Sequence, residues 1–128
     1  MANRHALIIE DDSMNAEILE FMLNSSGISC TNINNPHHVL EIVPQLSNID
    51  VVFLDLEMPG IDGYQMLQIL RENLQLAVPV IACTVHTSQI DIARMKGFDG
   101  FLGKPLMAER FPEQIARILG GESIWELP

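Results

Sequence analysis

Short apolar runs alternate along this chain with longer stretches in which apolar residues recur at helical spacing. A short apolar run bounded by turn residues is typical of a buried strand in a parallel sheet. Five such runs predict five strands: His5–Ile9, Ile28–Ile33, Asp50–Leu54, Val78–Cys83 and Gly100–Gly103.

The first stretch with helical spacing follows the first strand. Ser13 is a suitable N-cap for this helix and Gly27 a suitable stop. The apolar spacing predicts that one face of the helix points inward, made of Met14, Ile18, Phe21 and Met22.

Four further helices are predicted after the other strands. They span Pro36–Leu46 with Val39, Leu40 and Val43 inward, Tyr64–Asn73 with Leu67 and Leu70 inward, Ser88–Lys96, and a last helix from near Phe111 to about Leu119. Strands that alternate with helices indicate an α/β domain whose parallel sheet is covered on both faces. The expected domain covers residues 1–121, and residues 122–128 form a short C-terminal tail. Trp125 in this tail either packs against the domain or contacts a partner.

Composition narrows the class of protein. The chain has 128 residues, enough for one domain with its own core, and its formal net charge is −10. An acidic surface argues against direct binding of nucleic acid or of an anionic membrane. Cys30 and Cys83 lie in strand-like segments and are expected to be buried, reduced thiols. With no leader or membrane-spanning pattern in the sequence, we expect a cytoplasmic protein.

Polar residues stand where four of the predicted strands end. Glu10 and Asp11 follow the first strand, Asp55 the third, Thr84 the fourth and Lys104 the fifth. Open α/β sheets bind ligands at the carboxyl ends of their strands. Because parallel strands end at the same edge, these side chains are expected to meet there.

Three carboxylates at one edge repel one another unless a cation lies between them. Mg²⁺ suits such a set, because it takes one or two carboxylates and leaves room for phosphate oxygens. The backbone carbonyl of Glu57 is a further candidate ligand. A phosphoryl group placed there would meet the metal, the Lys104 ammonium and the Thr84 hydroxyl, with Asp55 as the nucleophile.

At these positions the chain resembles the receiver domain of two-component response regulators, from about His5 to Leu119. The motifs that carry the resemblance are Ile8–Asp12, Phe53–Gly63, Val80–Thr84 and Gly100–Pro105. The resemblance implies a flavodoxin-like, doubly wound sheet of five strands in the order 2-1-3-4-5 with five helices.

The resemblance also implies a role for each site residue. Asp55 would be the phosphoacceptor, Asp11 a direct Mg²⁺ ligand, Glu10 a ligand through water, and Glu57 a ligand through its main-chain oxygen. For the switch, it implies that Thr84 supplies the hydroxyl, that Phe101 is the switch aromatic, and that Lys104 contacts the phosphoryl group next to a cis bond to Pro105.

Three features depart from the family pattern, and the first two concern access to Asp55. Val85 stands where the family usually has a small residue, and its branched side chain would narrow the approach. Glu57 and His86 flank the path of the attacking water in the family, and a contact between them would shield or orient that water. The stretch from Thr84 to Lys104 is about two residues short, which predicts a trimmed or irregular fourth helix.

The resemblance predicts a stand-alone receiver that accepts a phosphoryl group from a histidine kinase or a phosphotransfer protein. Its output would be a protein–protein contact at the face of helix four, strand five and helix five. It would not be an enzyme beyond its own phosphotransfer and slow autodephosphorylation.

One alternative is a pseudo-receiver that binds partners without accepting phosphate. Another is a phosphohydrolase of the haloacid dehalogenase type. That class needs a second Asp at the position of Glu57 and a cap insertion, and the sequence has neither.

Overall fold

A parallel sheet of six strands forms the centre of the computed structural model, which describes residues 3–128. The strands are β1 (His5–Ile9), β2 (Ser29–Ile33), β3 (Val51–Leu54), β4 (Val80–Thr84), β5 (Gly100–Gly103) and β6 (Trp125–Glu126). Their order in the sheet is β2-β1-β3-β4-β5-β6. The predicted α/β class and the order 2-1-3-4-5 are confirmed, and the predicted count of five strands is wrong by one.

Helices cover both faces of the sheet, as in other doubly wound folds. They are α1 (Ser13–Ser25), α2 (Val39–Ile42, between 3₁₀ turns at Pro36–His38 and Val43–Gln45), α3 (Gly63–Gln68, continued by a π turn at Ile69–Asn73), α4 (Ile90–Met95, after a 3₁₀ turn at Thr87–Gln89) and α5 (Phe111–Leu119). Side chains of α1 and α5 pack on one face, and those of α2, α3 and α4 pack on the other. Outside the main sheet, Glu57–Met58 and Ile61–Asp62 form a short antiparallel hairpin.

The prediction for the inward face of α1 is wrong for three of its four residues; only Met22 packs against the core. Ala16, Leu19 and Leu23 are buried, whereas Met14, Ile18 and Phe21 are exposed. The helix carries apolar residues on several sides, so spacing alone does not select the side that meets the sheet. Its N-cap is also one residue earlier than predicted: the Asp12 carboxylate, and not Ser13, accepts a hydrogen bond from the Asn15 amide at 3.0 Å.

The helices on the other face are short and partly irregular. Val39, Val43, Leu67 and Leu70 are buried as predicted, but Leu40 is exposed. Pro44 lies in the closing 3₁₀ turn of the α2 segment, consistent with its missing amide hydrogen. The α-helical part of α4 has only six residues, consistent with the trimmed fourth helix that we expected.

The segment after Gly121 is part of the sheet. Trp125 lies beside Phe101 and Glu126 beside Leu102, in parallel pairing with β5. Of the two interpretations of Trp125, the structure shows the one in which it packs against the domain.

Both cysteines are free thiols. Cys83 is buried as predicted, and burial raises its pKa to about 12. Cys30 is only half-buried, because β2 is an edge strand with an exposed side. Within residues 3–128, none of the helices has both the length and the apolar character needed to cross a bilayer.

Candidate functional site

Strand register places the polar residues of the site at one edge of the sheet. Ile9 lies beside Leu54, so Glu10 and Asp55 follow neighbouring strands. Thr84 lies beside Gly103, so Thr84 at the end of β4 comes close to Lys104, which follows β5. The carboxyl ends of β1, β3, β4 and β5 therefore bring the predicted residues together.

Glu10, Asp11 and Asp55 form an acidic cluster at this edge. Each offers a carboxylate oxygen, and these oxygens lie within 4.8 Å of one another. Glu10 is buried, Asp55 half-buried and Asp11 exposed, so the cluster opens to solvent on the side of Asp11. An all-oxygen set with one open side fits the requirements of Mg²⁺, which retains waters and prefers carboxylates.

Lys104 is paired with Glu10. Its Nζ lies 2.5 Å from the Glu10 carboxylate, and both side chains are largely buried. Burial raises the pKa of Glu10 to about 7, against the opposing effect of the hydrogen bond from Lys104. Burial also acts to lower the pKa of Lys104, but the surrounding anionic groups outweigh it and the pKa is raised. Lys104 therefore stays cationic beside the acidic cluster.

The loop after β3 positions Asp55. The Glu57 amide donates to Asp55 Oδ1 at a long 3.4 Å, and the Gly63 amide donates to the Leu56 carbonyl at 2.9 Å. A side chain at Gly63 would collide with Leu56, since a Cβ there would lie 2.7 Å from the Leu56 Cα. This glycine lets α3 start directly against the loop that carries Asp55.

The two predicted switch residues are both fully buried. The Thr84 hydroxyl accepts a hydrogen bond from the His86 amide at 3.2 Å. The Phe101 ring belongs to the core on the side of α4. The Lys104–Pro105 bond is cis, as the family resemblance implied.

Glu57 and His86 form the contact that the sequence analysis anticipated. Their side chains meet at 2.9 Å, between Glu57 Oε2 and His86 Nε2, and both are exposed. The backbone amide of each residue also donates to a site residue, Asp55 and Thr84 respectively. The pair therefore joins the loop after β3 to the loop after β4 beside Asp55.

An apolar cavity of about 230 Å³ adjoins Asp55 and Lys104. Apolar side chains from several elements line it, among them Ile18, Phe53, Val85 and Leu106. Val85 lines this cavity, and its own side chain is largely exposed. The contributions of Ile18 and Leu106 to this cavity were not predicted, because Ile18 had been assigned to the inward face of the first helix and nothing in the sequence singled out Leu106.

Together, the doubly wound sheet and the acidic cluster beside an ion-paired lysine define a receiver-like α/β domain. Residues 6–116 match the family model described as "Response regulator receiver domain". The chain belongs to the response regulator receiver domain family.

Relatives and solved structures agree with this assignment. The chain is 30% identical over 107 residues to the osmosensing histidine protein kinase SLN1 of Saccharomyces cerevisiae, covering 78% of this chain and 9% of the kinase. It is 36% identical over 115 residues to the sensory transduction protein RegX3 of Mycolicibacterium smegmatis, covering 88% of this chain and 47% of RegX3. The chain thus spans about a tenth of that kinase and about half of RegX3.

Two solved structures share the fold. The chemotaxis response regulator CheY4 of Vibrio cholerae superposes with a TM-score of 0.79 at 21% identity, covering 91% of this chain and 99% of CheY4. The receiver domain of the Francisella response regulator 1452 superposes with a TM-score of 0.78 at 25% identity, covering 92% of this chain and 98% of that domain.

Replacing Lys104 tests how far the fold depends on its ion pair. We expect Lys104→Met to lower the free energy of unfolding by about 3 kcal/mol, because Glu10 is left buried without its partner. Lys96→Met, at an exposed position, should change it by less than about 0.5 kcal/mol. Urea denaturation in the presence of EDTA measures both, and equal losses would contradict the assignment of a buried, stabilising pair.

Proposed function

We propose that this receiver accepts a phosphoryl group on Asp55 from the phosphohistidine of a partner protein and signals by protein–protein contact. The observation that carries the proposal is the convergence of the acidic cluster with Lys104 at the carboxyl edge of the sheet. Family membership and the histidine kinases among the relatives support the same direction.

The chemistry follows from the residues at the edge. A carboxylate oxygen of Asp55 attacks phosphorus, an acyl phosphate bond forms, and the bond from phosphorus to the histidine nitrogen breaks with its electron pair on the imidazole. The Lys104 ammonium and the Thr84 hydroxyl would contact oxygens of the transferred group. For Lys104 this requires its Nζ to turn from Glu10 toward Asp55.

We propose Mg²⁺ as the cofactor, held by the carboxylates of Asp11 and Asp55, by Glu10 through water, and by the main-chain oxygen of Glu57. When bound, the ion supplies positive charge to the carboxylates and to the phosphoryl oxygens. The chain then acts as a catalyst only on its own aspartate, including slow loss of the phosphoryl group, and turns over no separate substrate.

An exposed apolar stripe on α1 supports contact with a protein donor. Met14, Ile18 and Phe21 recur at helical spacing on the exposed side of the helix. Ile18 also lines the cavity beside Asp55. A donor that packs on this stripe would hold its phosphohistidine at the entrance to the site.

Phosphorylation is tested directly by intact-mass spectrometry after incubation with acetyl phosphate and Mg²⁺. We expect the unsubstituted chain to gain one phosphoryl group and Asp55→Asn to gain none, because the nucleophile is lost. Asp91→Asn, which removes an exposed carboxylate on α4, is the matched control and should behave as the unsubstituted chain. No mass gain with either acetyl phosphate or a phosphohistidine donor would favour the pseudo-receiver.

The role of the α1 stripe is separable from the chemistry. We expect Ile18→Asp to slow transfer from a phosphorylated histidine phosphotransfer protein by about tenfold, since a charge would replace an apolar contact. Phosphorylation by acetyl phosphate, which needs no docking, should change much less. Leu40→Asp, an equally exposed apolar position on the opposite face of the sheet, should affect neither rate. Equal slowing with both donors would show that Ile18 acts on the site and not on docking.

The Glu57–His86 pair is expected to shield the acyl phosphate from water. Replacing both residues by alanine should shorten the lifetime of the phosphoryl group, by about tenfold if the pair excludes the attacking water. Each single alanine variant should give most of the effect, because either one breaks the contact. Decay of the phosphorylated chain measured by Phos-tag gel gives the lifetimes, and an unchanged lifetime in the double variant rules out this role.

A further inference from the structure

Strand β6 lies on the face that the sequence analysis assigned to an effector. It pairs with β5, and the Phe101 amide donates to the Ile124 carbonyl at 2.7 Å. Arg94 of α4 lies over the Trp125 ring, 4.9 Å from its centroid. The chain's own segment thus contacts both β5 and α4.

Glu126, the last residue of β6, binds side chains of α5 and of the residue that precedes α5. One carboxylate oxygen accepts from Arg110 at 3.0 Å and from Gln114 at 2.8 Å, and the other accepts from Arg117 at 3.0 Å. The hydrogen bond from Gln114, followed by the contacts with the two arginines, lowers the pKa of Glu126. We call Arg110, Gln114 and Arg117 the carboxylate cradle.

The β5 edge is shaped for a closely packed neighbour. A Cβ at Gly100 would lie 2.8 Å from the Ile124 carbonyl oxygen, so the glycine permits the approach of the added strand. At the other end of β5, a Cβ at Gly103 would lie 2.7 Å from Pro128. The two glycines therefore let the segment approach closely at both ends of β5.

Ile124 anchors the segment in the core, but the hold on the residues around it is limited. The paired strand is two residues long, and residues 121–123, 127 and 128 are exposed. The Trp125 indole nitrogen is buried without a hydrogen-bond partner, which is a cost of the docked position. Gly121, with a φ of 95°, follows Gly120 at the end of α5 and turns the chain there.

We propose that the β5 edge, between Arg94 and the carboxylate cradle, is an interaction surface for an extended segment of an effector protein, and that β6 is its displaceable internal occupant. The effector segment would carry an aromatic residue followed by an acidic one and would add to β5 in parallel. Addition of a strand to a sheet edge is an established mode of peptide recognition.

Tethering favours the internal occupant. A covalently linked segment acts at a high effective concentration, so an effector gains the surface when docking of β6 weakens. Phe101 connects the segment to the site. Its amide donates a hydrogen bond to Ile124, and its strand β5 ends one residue before Lys104. The inference rests on the proposed function only for the identity of this face as the output surface.

Trp125 is the only tryptophan of the chain, which makes a fluorescence test possible. The triple variant Ile124→Ala/Trp125→Ala/Glu126→Ala of the full chain removes the buried Ile124 side chain, the Trp125 ring and the carboxylate that hold the segment in place, and it leaves the chain free of tryptophan. A synthetic peptide with the sequence of residues 121–128 should then bind saturably with a blue shift of its emission. The same peptide carrying E126Q should bind about tenfold more weakly, since it loses the charge that the cradle recognises. The unsubstituted chain should compete poorly for labelled peptide, because its own segment occupies the edge.

Circular dichroism confirms that the triple variant is folded before it is used. Absence of saturable binding to the folded variant, or equal affinity of both peptides, overturns the proposal. No phosphoryl donor is present, so this failure is distinct from a failure of Asp55 to accept phosphate.

Amide hydrogen exchange on the unsubstituted chain tests displacement without any substitution. Phe101 donates to Ile124 across β5–β6, whereas Lys104 donates to the Thr84 carbonyl at 2.8 Å, on the other side of the same strand. Local release of the segment should make the Phe101 amide exchange about tenfold faster than that of Lys104. Equal protection would make β6 a permanent strand and overturn the proposal. A dimer with exchanged strands in analytical ultracentrifugation would also overturn it, because the occupant would then be a second copy of the chain.

Discussion

The concentration of negative charge at one edge of the sheet is the constraint on which the site depends. Glu10 is buried beside Asp55, and such a pair is stable only when positive charge offsets its repulsion. Lys104 supplies that charge in the structure, from the far end of the chain. The same concentration of carboxylates suits a cation, which would offset their repulsion, and in the proposed function that cation and Lys104 would attract the oxygens of the phosphoryl group.

Two loops connect the acidic cluster with the surface of the domain. The Glu57–His86 contact joins the loop after Asp55 to the loop after Thr84, and Val85 lines the cavity beside Asp55. In the proposed function, movement of the Thr84 hydroxyl would therefore act on the pair that we propose to shield the acyl phosphate from water. A phosphoryl group shifts such a system only through a difference in its interactions with the two states.

Strand β6 covers part of the face that we propose for output, which is formed by α4, β5 and α5. The aromatic ring of Trp125 and the carboxylate of Glu126 connect α4 and α5 to β5, so the face is not a bare surface. Any partner that uses it either contacts β6 or replaces it. Phe101, the predicted switch aromatic, lies on the adjoining strand and pairs with Trp125.

The sequence by itself determined the alternation of strands and helices, the sheet order through the family resemblance, and which residues meet at the carboxyl edge of the sheet. Strand-end residues in a parallel sheet must meet at one edge, so their convergence follows from the order of the motifs. The sequence also suggested the Glu57–His86 contact. It did not decide which side of α1 faces the core, because Met14, Ile18 and Phe21 compete with Ala16, Leu19 and Leu23 for burial at similar spacing. Nor did it reveal β6, since two residues carry no periodic signal, and their pairing depends on a β5 edge and on α5 side chains that only the tertiary structure brings together.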